Sequence, residues 1–122
     1  MTARPALDGV RILAPATVEL MDTNAIPHDV LVNSNGTTGL RFNEAVGFGL
    51  DFMVVNEPRR AGSLEGKNTF SWGGAAGTWF WIDPTNDLIF VGMIQRLGGT
   101  GGDDLGTMAR TLTYQALLHP EK

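Results

Sequence analysis

Residues 72–84 read WGGAAGTWFWIDP, which places three tryptophans and three glycines within thirteen positions. Glycine weakens a strand, and inside one it usually marks a bulge or a place where a ligand or another backbone comes close. Here the glycines stand beside the bulkiest side chains. The pattern predicts either an open strand edge beside a walled pocket or a tight bulge in an ordinary sheet, and the residues alone leave both open.

The chain on either side of this stretch indicates an antiparallel sheet. Apolar side chains alternate along 46–55, which predicts one strand there. Further strands are predicted at 69–74, 77–82 and 88–95. The last two flank an Asp-Pro-Thr-Asn-Asp sequence, whose residues are typical of turns for reasons of backbone geometry.

Two helices are predicted beside these strands. The first covers 15–24 and starts with a proline, which suits the first turn of a helix. The second covers 103–118, and Asp103 would cap it. The segments 28–44 and 56–68 are rich in turn-forming residues and read as loops.

The hairpin formed by 77–82 and 88–95 is apolar on both faces. A strand that is buried on both faces needs one layer of structure above it and another below. Two helices can hardly cover four strands on both sides. We therefore expect the missing cover to come from a missing N-terminal half, a partner chain or a second copy of this chain.

Length and composition limit the classes of protein that fit. The chain has 122 residues, 43% of them hydrophobic and 18% charged, which is ordinary for one folded domain. The net charge of −4 argues against a nucleic-acid surface. No apolar run approaches the ~20 residues of a membrane-spanning helix. The absence of cysteine excludes disulfides and thiolate metal sites but leaves the compartment undecided, and without a signal peptide a complete chain would be cytoplasmic.

The stretch at 72–84, with the apolar strand that ends at Gln95, resembles the third motif region of the beta-lactamase-like serine hydrolases. This superfamily includes class C beta-lactamases, penicillin-binding proteins and related esterases. Many relatives have Lys-Thr-Gly or His-Ser-Gly at this motif, and some esterases have Trp-Gly-Gly. Residues 8–21 and 47–52 are similar to earlier blocks of the family, in family order. The resemblance implies an α+β fold, with an antiparallel sheet and packed helices, in which 1–122 is a single partial domain.

Two motifs of this superfamily are missing from the chain. The first is Ser-x-x-Lys, and the residues three positions after Ser34, Ser63 and Ser71 are threonine, glycine and glycine. The second is Tyr-x-Asn, and the single tyrosine, Tyr114, is followed by glutamine and alanine. No Gly-x-Ser-x-Gly sequence is present either. Both missing motifs normally lie N-terminal to this region, so we expect a C-terminal segment that is inactive alone.

The resemblance also implies which residues would form the site. The backbone N–H of Ala75 would help to form the oxyanion hole, which stabilises negative charge in the transition state. Trp72, Gly73 and Gly74 would bind the substrate. Trp72 stands where many relatives have a cation, so it would form a pocket wall that favours esters over substrates bearing a carboxylate. A tryptophan that only packs in the core is the other explanation.

The remaining candidate residues favour no other chemistry. His28 and His119 are isolated, and a zinc site needs three or four clustered ligands. The glycine-rich residues 98–102 lack the Gly-Lys-Ser/Thr of a phosphate loop. Asp103 and Asp104 fit helix capping better than cation binding. We therefore expect no cofactor and no metal.

Two functions remain open from the sequence. The first is the C-terminal segment of a serine hydrolase, of the esterase or beta-lactamase type, which would transfer an acyl group from a small ester or lactam. The second is a non-catalytic oligomeric remnant that binds a small apolar ligand or a partner protein.

Overall fold

The computed structural model describes residues 6–33, 42–97 and 101–117. In chain order the elements are β1 (Ala6–Leu7), β2 (Val10–Arg11), α1 (Pro15–Met21), α2 (His28–Asn33), β3 (Val46–Phe48), β4 (Met53–Val55), α3 (Pro58–Ala61), β5 (Phe70–Gly73), β6 (Trp79–Asp83), β7 (Leu88–Gly92) and α4 (Gly101–Ala116).

Strands β3 to β7 form one antiparallel sheet, in which each strand lies beside its neighbour in the sequence. β1 and β2 form a separate two-stranded hairpin. In the centre of the large sheet, Trp81 of β6 lies opposite Ser71 of β5 on one side and opposite Phe90 of β7 on the other. The predicted α+β fold, an antiparallel sheet with packed helices, is confirmed.

The single strand predicted at 46–55 is wrong. Two strands, β3 and β4, lie there, joined by a tight turn in which Asp51 has a φ of 71°. The Gly49 N–H donates to the Phe52 carbonyl at 2.8 Å and closes the turn. The alternation of apolar residues continues through this turn because Leu50 is apolar although it is exposed. The alternation of apolar residues therefore predicted one strand where the chain in fact reverses direction.

Two short helices lie in segments that were predicted to be loops. α3 begins at Pro58 and ends before Gly62, whose φ of 67° is left-handed, so the usual start and stop residues of a helix were present. α2 begins at His28, and its Leu31 is buried. Such short helices give too little periodicity to be recognised.

The predicted helix at 15–24 ends earlier, at Met21. The reason is the side chain of Asn24, whose Oδ1 accepts the N–H groups of Ile26 at 3.1 Å and Phe48 at 3.0 Å. The Ala25 N–H donates to the Phe48 carbonyl at 2.8 Å. These residues therefore bind along the outer edge of β3 instead of continuing the helix.

Helix α4 packs on one face of the sheet over Trp81, which is fully buried. The Trp81 ring stacks on Phe90, with centroids 4.1 Å apart, and the Arg110 guanidinium lies 5.3 Å from its centroid. The Nε of Arg110 lies 2.8 Å from the buried carboxylate of Glu65, although its N–H is not aligned with that oxygen. Charge and cation–π attraction thus hold α4 against the sheet.

The carboxylate of Asp83, at the end of β6, is fully buried and accepts five hydrogen bonds. Oδ2 accepts from the Gly66 N–H, the Asn86 Nδ2 and the Tyr114 hydroxyl at 2.7–2.8 Å. Oδ1 accepts from the N–H groups of Thr85 and Asn86 at 3.0 Å. All five partners are donors, so the network needs an ionised acid at this position.

Apolar side chains on the outer surfaces remain exposed. In β7, Ile89 and Val91 are 70% and 61% exposed. A second exposed row lies on α4, where Leu105, Met108 and Leu112 follow each other at helical spacing. Within the described residues no helix is long and apolar enough to cross a membrane. Both rows are larger and more regular than scattered surface apolar residues.

Asp83→Asn should lower the free energy of unfolding by about 3 kcal/mol, because the new amide directs N–H groups at buried donors. Tyr114→Phe is the matched control. It removes one donor and leaves the carboxylate satisfied by the others, so it should cost about 1.5 kcal/mol. Urea unfolding followed by tryptophan fluorescence measures both. Equal losses in the two variants would contradict the need for a carboxylate.

Stability should also depend on pH through Asp83. Burial opposes its charge, but hydrogen bonds from Gly66, Asn86 and Tyr114 outweigh burial and hold its pKa below the usual value. The contribution is therefore complete above the unfolded pKa, near about 4, and is lost as the pH falls through the lower folded pKa. The stability gap between the wild type and Asp83→Asn should be constant from about pH 6 to 8 and narrow below about pH 4. A gap that widens in acid would contradict this sign.

Candidate functional site

The candidate site is the end of β5, where the strand extends beyond its neighbour. β4 pairs with β5 only at Phe70 and Ser71. The next two residues, Trp72 and Gly73, pair with β6 on one side. Within the described residues their other side has no strand partner. The backbone is therefore available along one edge at this point, as one of the two readings of the sequence requires.

The five residues Gly74 to Thr78 connect β5 to β6, and Ala75 to Gly77 form the tip of this loop. The Gly74 N–H donates to the Thr78 carbonyl at 2.7 Å, and the Gly77 N–H donates to the Gly74 carbonyl at 2.9 Å. Gly77 has a φ of 87°, whereas neither alanine has a positive φ. This is a type I turn followed by a left-handed residue, a common hairpin loop.

The N–H groups of Ala75 and Ala76, at the tip of this loop, are both unused donors within the described part of the chain. Ala75 is exposed, and among the described residues no acceptor takes its N–H. The neighbouring Ala76 carbonyl is occupied, because it accepts the Arg96 N–H at 2.8 Å. That bond ties the segment after β7 to the loop, so these donors are carried by a turn that is braced from both sides.

The three glycines of the stretch have different structural reasons. A side chain at Gly74 would lie 2.7 Å from the Thr78 hydroxyl, and one at Gly77 would lie 2.9 Å from Ile94. The chain's own contacts therefore give a structural reason for both glycines. A side chain at Gly73 would only reach ordinary contact, 3.6 Å from a carbonyl. Gly73 is therefore the glycine that internal packing does not explain.

Trp72 stands beside this open edge and is 39% exposed. Its ring contacts Phe48 edge to face, with centroids 5.2 Å apart and planes at 79°. Phe42 contacts Phe48 in the same manner at 5.6 Å. The structure thus brings an exposed tryptophan, a glycine without a packing role and an unused backbone donor together within four consecutive residues.

A protein-family model described as Beta-lactamase matches residues 7–115. The chain belongs to the beta-lactamase family. Two curated proteins of Mycobacterium tuberculosis are similar to it: "Uncharacterized protein MT1414" of strain CDC 1551 / Oshkosh and "Protein Rv1367c" of strain ATCC 25618 / H37Rv. Each is 41% identical over 92 residues, which are 73% of this chain and 22% of the relative. The chain thus matches about a fifth of the length of these relatives.

The serines described in this beta-lactamase-family chain are engaged elsewhere. Ser71 is buried in β5. Ser63 donates to the Glu65 carboxylate at 2.5 Å and accepts the Glu65 N–H at 3.1 Å. Lys67, four residues after Ser63, has its Nζ 3.7 Å from Glu57. The described part of the chain therefore pairs no serine with a lysine. Ser34 lies outside the described residues.

The other candidates lie apart from this edge or outside the described residues. His28 has an exposed imidazole, with Nε2 3.8 Å from Glu44. Gly101 and Gly102 begin α4. His119 and residues 98–100 lie outside the described residues, and so do the side chains of Asp103 and Asp104. Over the described ranges no three metal-ligating side chains form a group.

An open pocket of about 430 Å³, which no sequence pattern indicated, lies between α2, α3 and the chain before β3. Its lining residues are Leu31, Asn43, Glu44, Ala45 and Arg60. The Arg60 guanidinium lies 2.6 Å from the Glu44 carboxylate. This ion pair neutralises the charges at the pocket wall. None of the lining residues belongs to β5 or to the loop after it.

The stability of the protein should be more sensitive to substitution of Gly77 than to substitution of Gly62, which is also left-handed. Gly62→Ala incurs only the cost of a left-handed alanine, about 1 kcal/mol, because nothing lies within 4 Å of the new methyl group. Gly77→Ala adds the clash with Ile94 and should cost about 1–3 kcal/mol more. Thermal and urea unfolding of the two variants tests this difference. Equal stabilities would show that the segment after β7 does not brace the loop.

Proposed function

We propose that this chain is the C-terminal segment of a serine acyl hydrolase, of the esterase or beta-lactamase type. In this proposal the β5–β6 loop supplies one donor of the oxyanion hole and Trp72 forms a wall of the acyl pocket. Membership of the beta-lactamase family supports a serine-hydrolase origin. The observation that carries the proposal is the exposed Ala75 N–H, which has no acceptor among the described residues and lies just beyond the edge where Trp72 and Gly73 lack a second strand partner.

The chemistry assigned to this edge is the stabilisation of charge. A serine oxygen attacks the substrate carbonyl carbon, and the carbon–oxygen π electrons move onto the oxygen. The resulting oxyanion accepts a hydrogen bond from the Ala75 N–H and a second one from the serine's own N–H. As the intermediate collapses, the bond to the leaving alcohol oxygen or lactam nitrogen breaks, and that atom takes up the proton that the serine lost. Water then releases the acyl group from the serine.

The serine and its activating lysine must come from sequence outside this chain. The described serines are buried or bonded to a carboxylate, as shown above. The two curated relatives are several times longer than the matched region. We propose that an N-terminal part, equivalent to the remainder of such a relative, supplies the nucleophile. A second copy of this chain would not supply one.

The exposed apolar rows on β7 and α4 also support an N-terminal part as the partner of this chain. Ile89 and Val91 on β7, together with the outer row of α4, would be covered when an N-terminal part packs on them. The non-catalytic alternative, a self-assembling remnant, would use the same surfaces. The two differ in whether hydrolysis appears when a segment with Ser-x-x-Lys and Tyr-x-Asn is joined to the chain.

The substrate proposed for this site is an uncharged ester. Trp72 carries no charge, so it cannot pair with the carboxylate of a penicillin-like substrate. Its partly exposed ring offers an apolar surface instead. The second substrate class for the same acyl-transfer reaction is a lactam whose binding does not depend strongly on a carboxylate.

The test joins the chain to an upstream segment that carries Ser-x-x-Lys and Tyr-x-Asn and measures the hydrolysis of p-nitrophenyl acetate. Ala75→Pro should lower kcat by about a hundredfold, because one oxyanion donor is lost. Proline is favoured at this position of a type I turn, so the loop should still form. Ala75→Gly keeps the N–H and should keep the rate.

Circular dichroism and unfolding curves establish that both variants are folded. Full turnover by folded Ala75→Pro would show that this loop is not the oxyanion donor. Hydrolysis by the unextended chain that a serine-directed reagent abolishes would show that the nucleophile lies within the chain itself.

A further inference from the structure

We infer that Phe48 is a positioning residue for Trp72, and that together they form a subsite for an uncharged apolar ester group. The inference rests on the proposed function and adds a specificity-determining contact to it. The glycine-rich motif at 72–84 contains Trp72 but not Phe48. Phe48 lies 24 residues earlier and reaches Trp72 from a different strand.

The contact exists because β4 is short. Phe48 ends β3, and its cross-strand partner, Met53, is the first residue of β4. Met53 in turn lies opposite Ser71, one residue before Trp72. Beyond Met53 the chain turns away, and the rings of Phe48 and Trp72 meet with centroids 5.2 Å apart. Because β4 starts only at Met53, no β4 residue lies opposite Trp72, and the two rings bridge the resulting gap.

Phe48 itself is held rigidly by the backbone. Its N–H donates to the Asn24 carboxamide at 3.0 Å, and its carbonyl accepts the Ala25 N–H at 2.8 Å. A side chain at the preceding residue, Gly47, would lie 2.1 Å from the Asn24 Oδ1, so only glycine admits this carboxamide. Because both backbone polar groups of Phe48 are hydrogen-bonded, its ring can move only through changes of side-chain rotamer.

A fixed Phe48 restricts Trp72 in turn. Edge-to-face contact orients the Phe48 and Trp72 rings relative to one another. Phe42 also packs edge to face on Phe48. An exposed tryptophan normally samples several rotamers, and ordering it on ligand binding costs free energy. Prior positioning by Phe48 removes part of that cost, which makes Trp72 a prepared apolar wall beside the free Ala75 N–H.

The chemistry of the wall selects the ligand class. Three rings in contact offer apolar surface and no charge. A carboxylate placed against them would lose hydration without gaining a partner. The aromatic or aliphatic part of an uncharged ester can pack on the rings, and no charge has to leave water when it does so. The subsite therefore favours the ester over the corresponding acid, which would also promote release of an acidic product.

The test uses the 122-residue chain labelled with ¹⁵N, titrated with methyl benzoate and separately with benzoate. These probes share a ring and differ in charge. Binding is read from the indole N–H signal of Trp72, which the Trp72→Leu spectrum identifies. The indole N–H groups of Trp79 and Trp81 are buried and serve as internal references. Methyl benzoate should shift the Trp72 signal alone and bind about tenfold more tightly than benzoate.

Phe48→Leu removes the ring and should weaken methyl benzoate binding by about two- to tenfold. Phe48→Tyr keeps the ring and should restore wild-type affinity. Phe52→Leu is the matched control, because Phe52 lies on the same hairpin but its ring contacts Phe70 and Phe80 instead of Trp72. Phe48→Met keeps side-chain volume without a ring and takes the place of Phe48→Leu should that variant be unfolded.

Unchanged affinity in folded Phe48→Leu or Phe48→Met would overturn the positioning role, and so would an equal loss in Phe52→Leu. A Trp72 signal that ignores methyl benzoate, or responds equally to benzoate, would overturn the subsite. None of these measurements needs a serine or the Ala75 N–H. Methyl benzoate binding that persists in Ala75→Pro while the extended chain keeps full turnover would contradict only the proposed oxyanion role.

Discussion

The ionised carboxylate of Asp83 is the interaction on which the described structure depends most. It is fully buried, and its five donors come from the loop before β5, from the β6–β7 turn and from α4. A buried charge without partners would be very costly, but here each lone-pair direction has a donor. Burial raises the pKa of Tyr114, and the hydrogen bond to Asp83 raises it further, so the Tyr114 hydroxyl remains a donor. One side chain thus sets the positions of three segments that are far apart in sequence.

The candidate site inherits its geometry from that anchor. β6 runs from the β5–β6 loop at one end to Asp83 at the other, and it pairs with β5 along all four residues of that strand. The Arg110 guanidinium over the Trp81 ring holds β6 against α4, and the stacking of Trp81 on Phe90 fixes β6 against β7. The interactions that order β6 are therefore concentrated away from the open edge. The backbone after Ser71 is exposed while the neighbouring strand is anchored, which suits the oxyanion donor proposed for this loop.

The sequence predicted most of this architecture and part of the site. The strands on either side of the tryptophans are confirmed in outline because their apolar runs end at glycine, proline or aspartate. The prediction failed at 46–55, where an exposed Leu50 imitated strand alternation, and at α2 and α3, which are too short to show helical periodicity. The carboxylate network could not be foreseen, because Asp83 and Tyr114 are 31 residues apart and Asp-Pro reads locally as a turn. The contact between Phe48 and Trp72 was equally invisible, since it depends on where β4 begins.

The glycines show why the pattern that first marked the site was ambiguous. Gly74 and Gly77 are explained by contacts with Thr78 and Ile94, so for them the interpretation as a tight turn is sufficient. Gly73 has no such contact, and it lies between an exposed tryptophan and the unused Ala75 donor. A residue without a side chain at that point keeps the strand edge accessible from outside. The loop therefore accounts for two of the glycines, and the third lies at a strand edge without a second strand partner among the described residues. Trp72 gives that edge a partly exposed apolar surface without charge, and under the proposed function this surface would favour uncharged substrates.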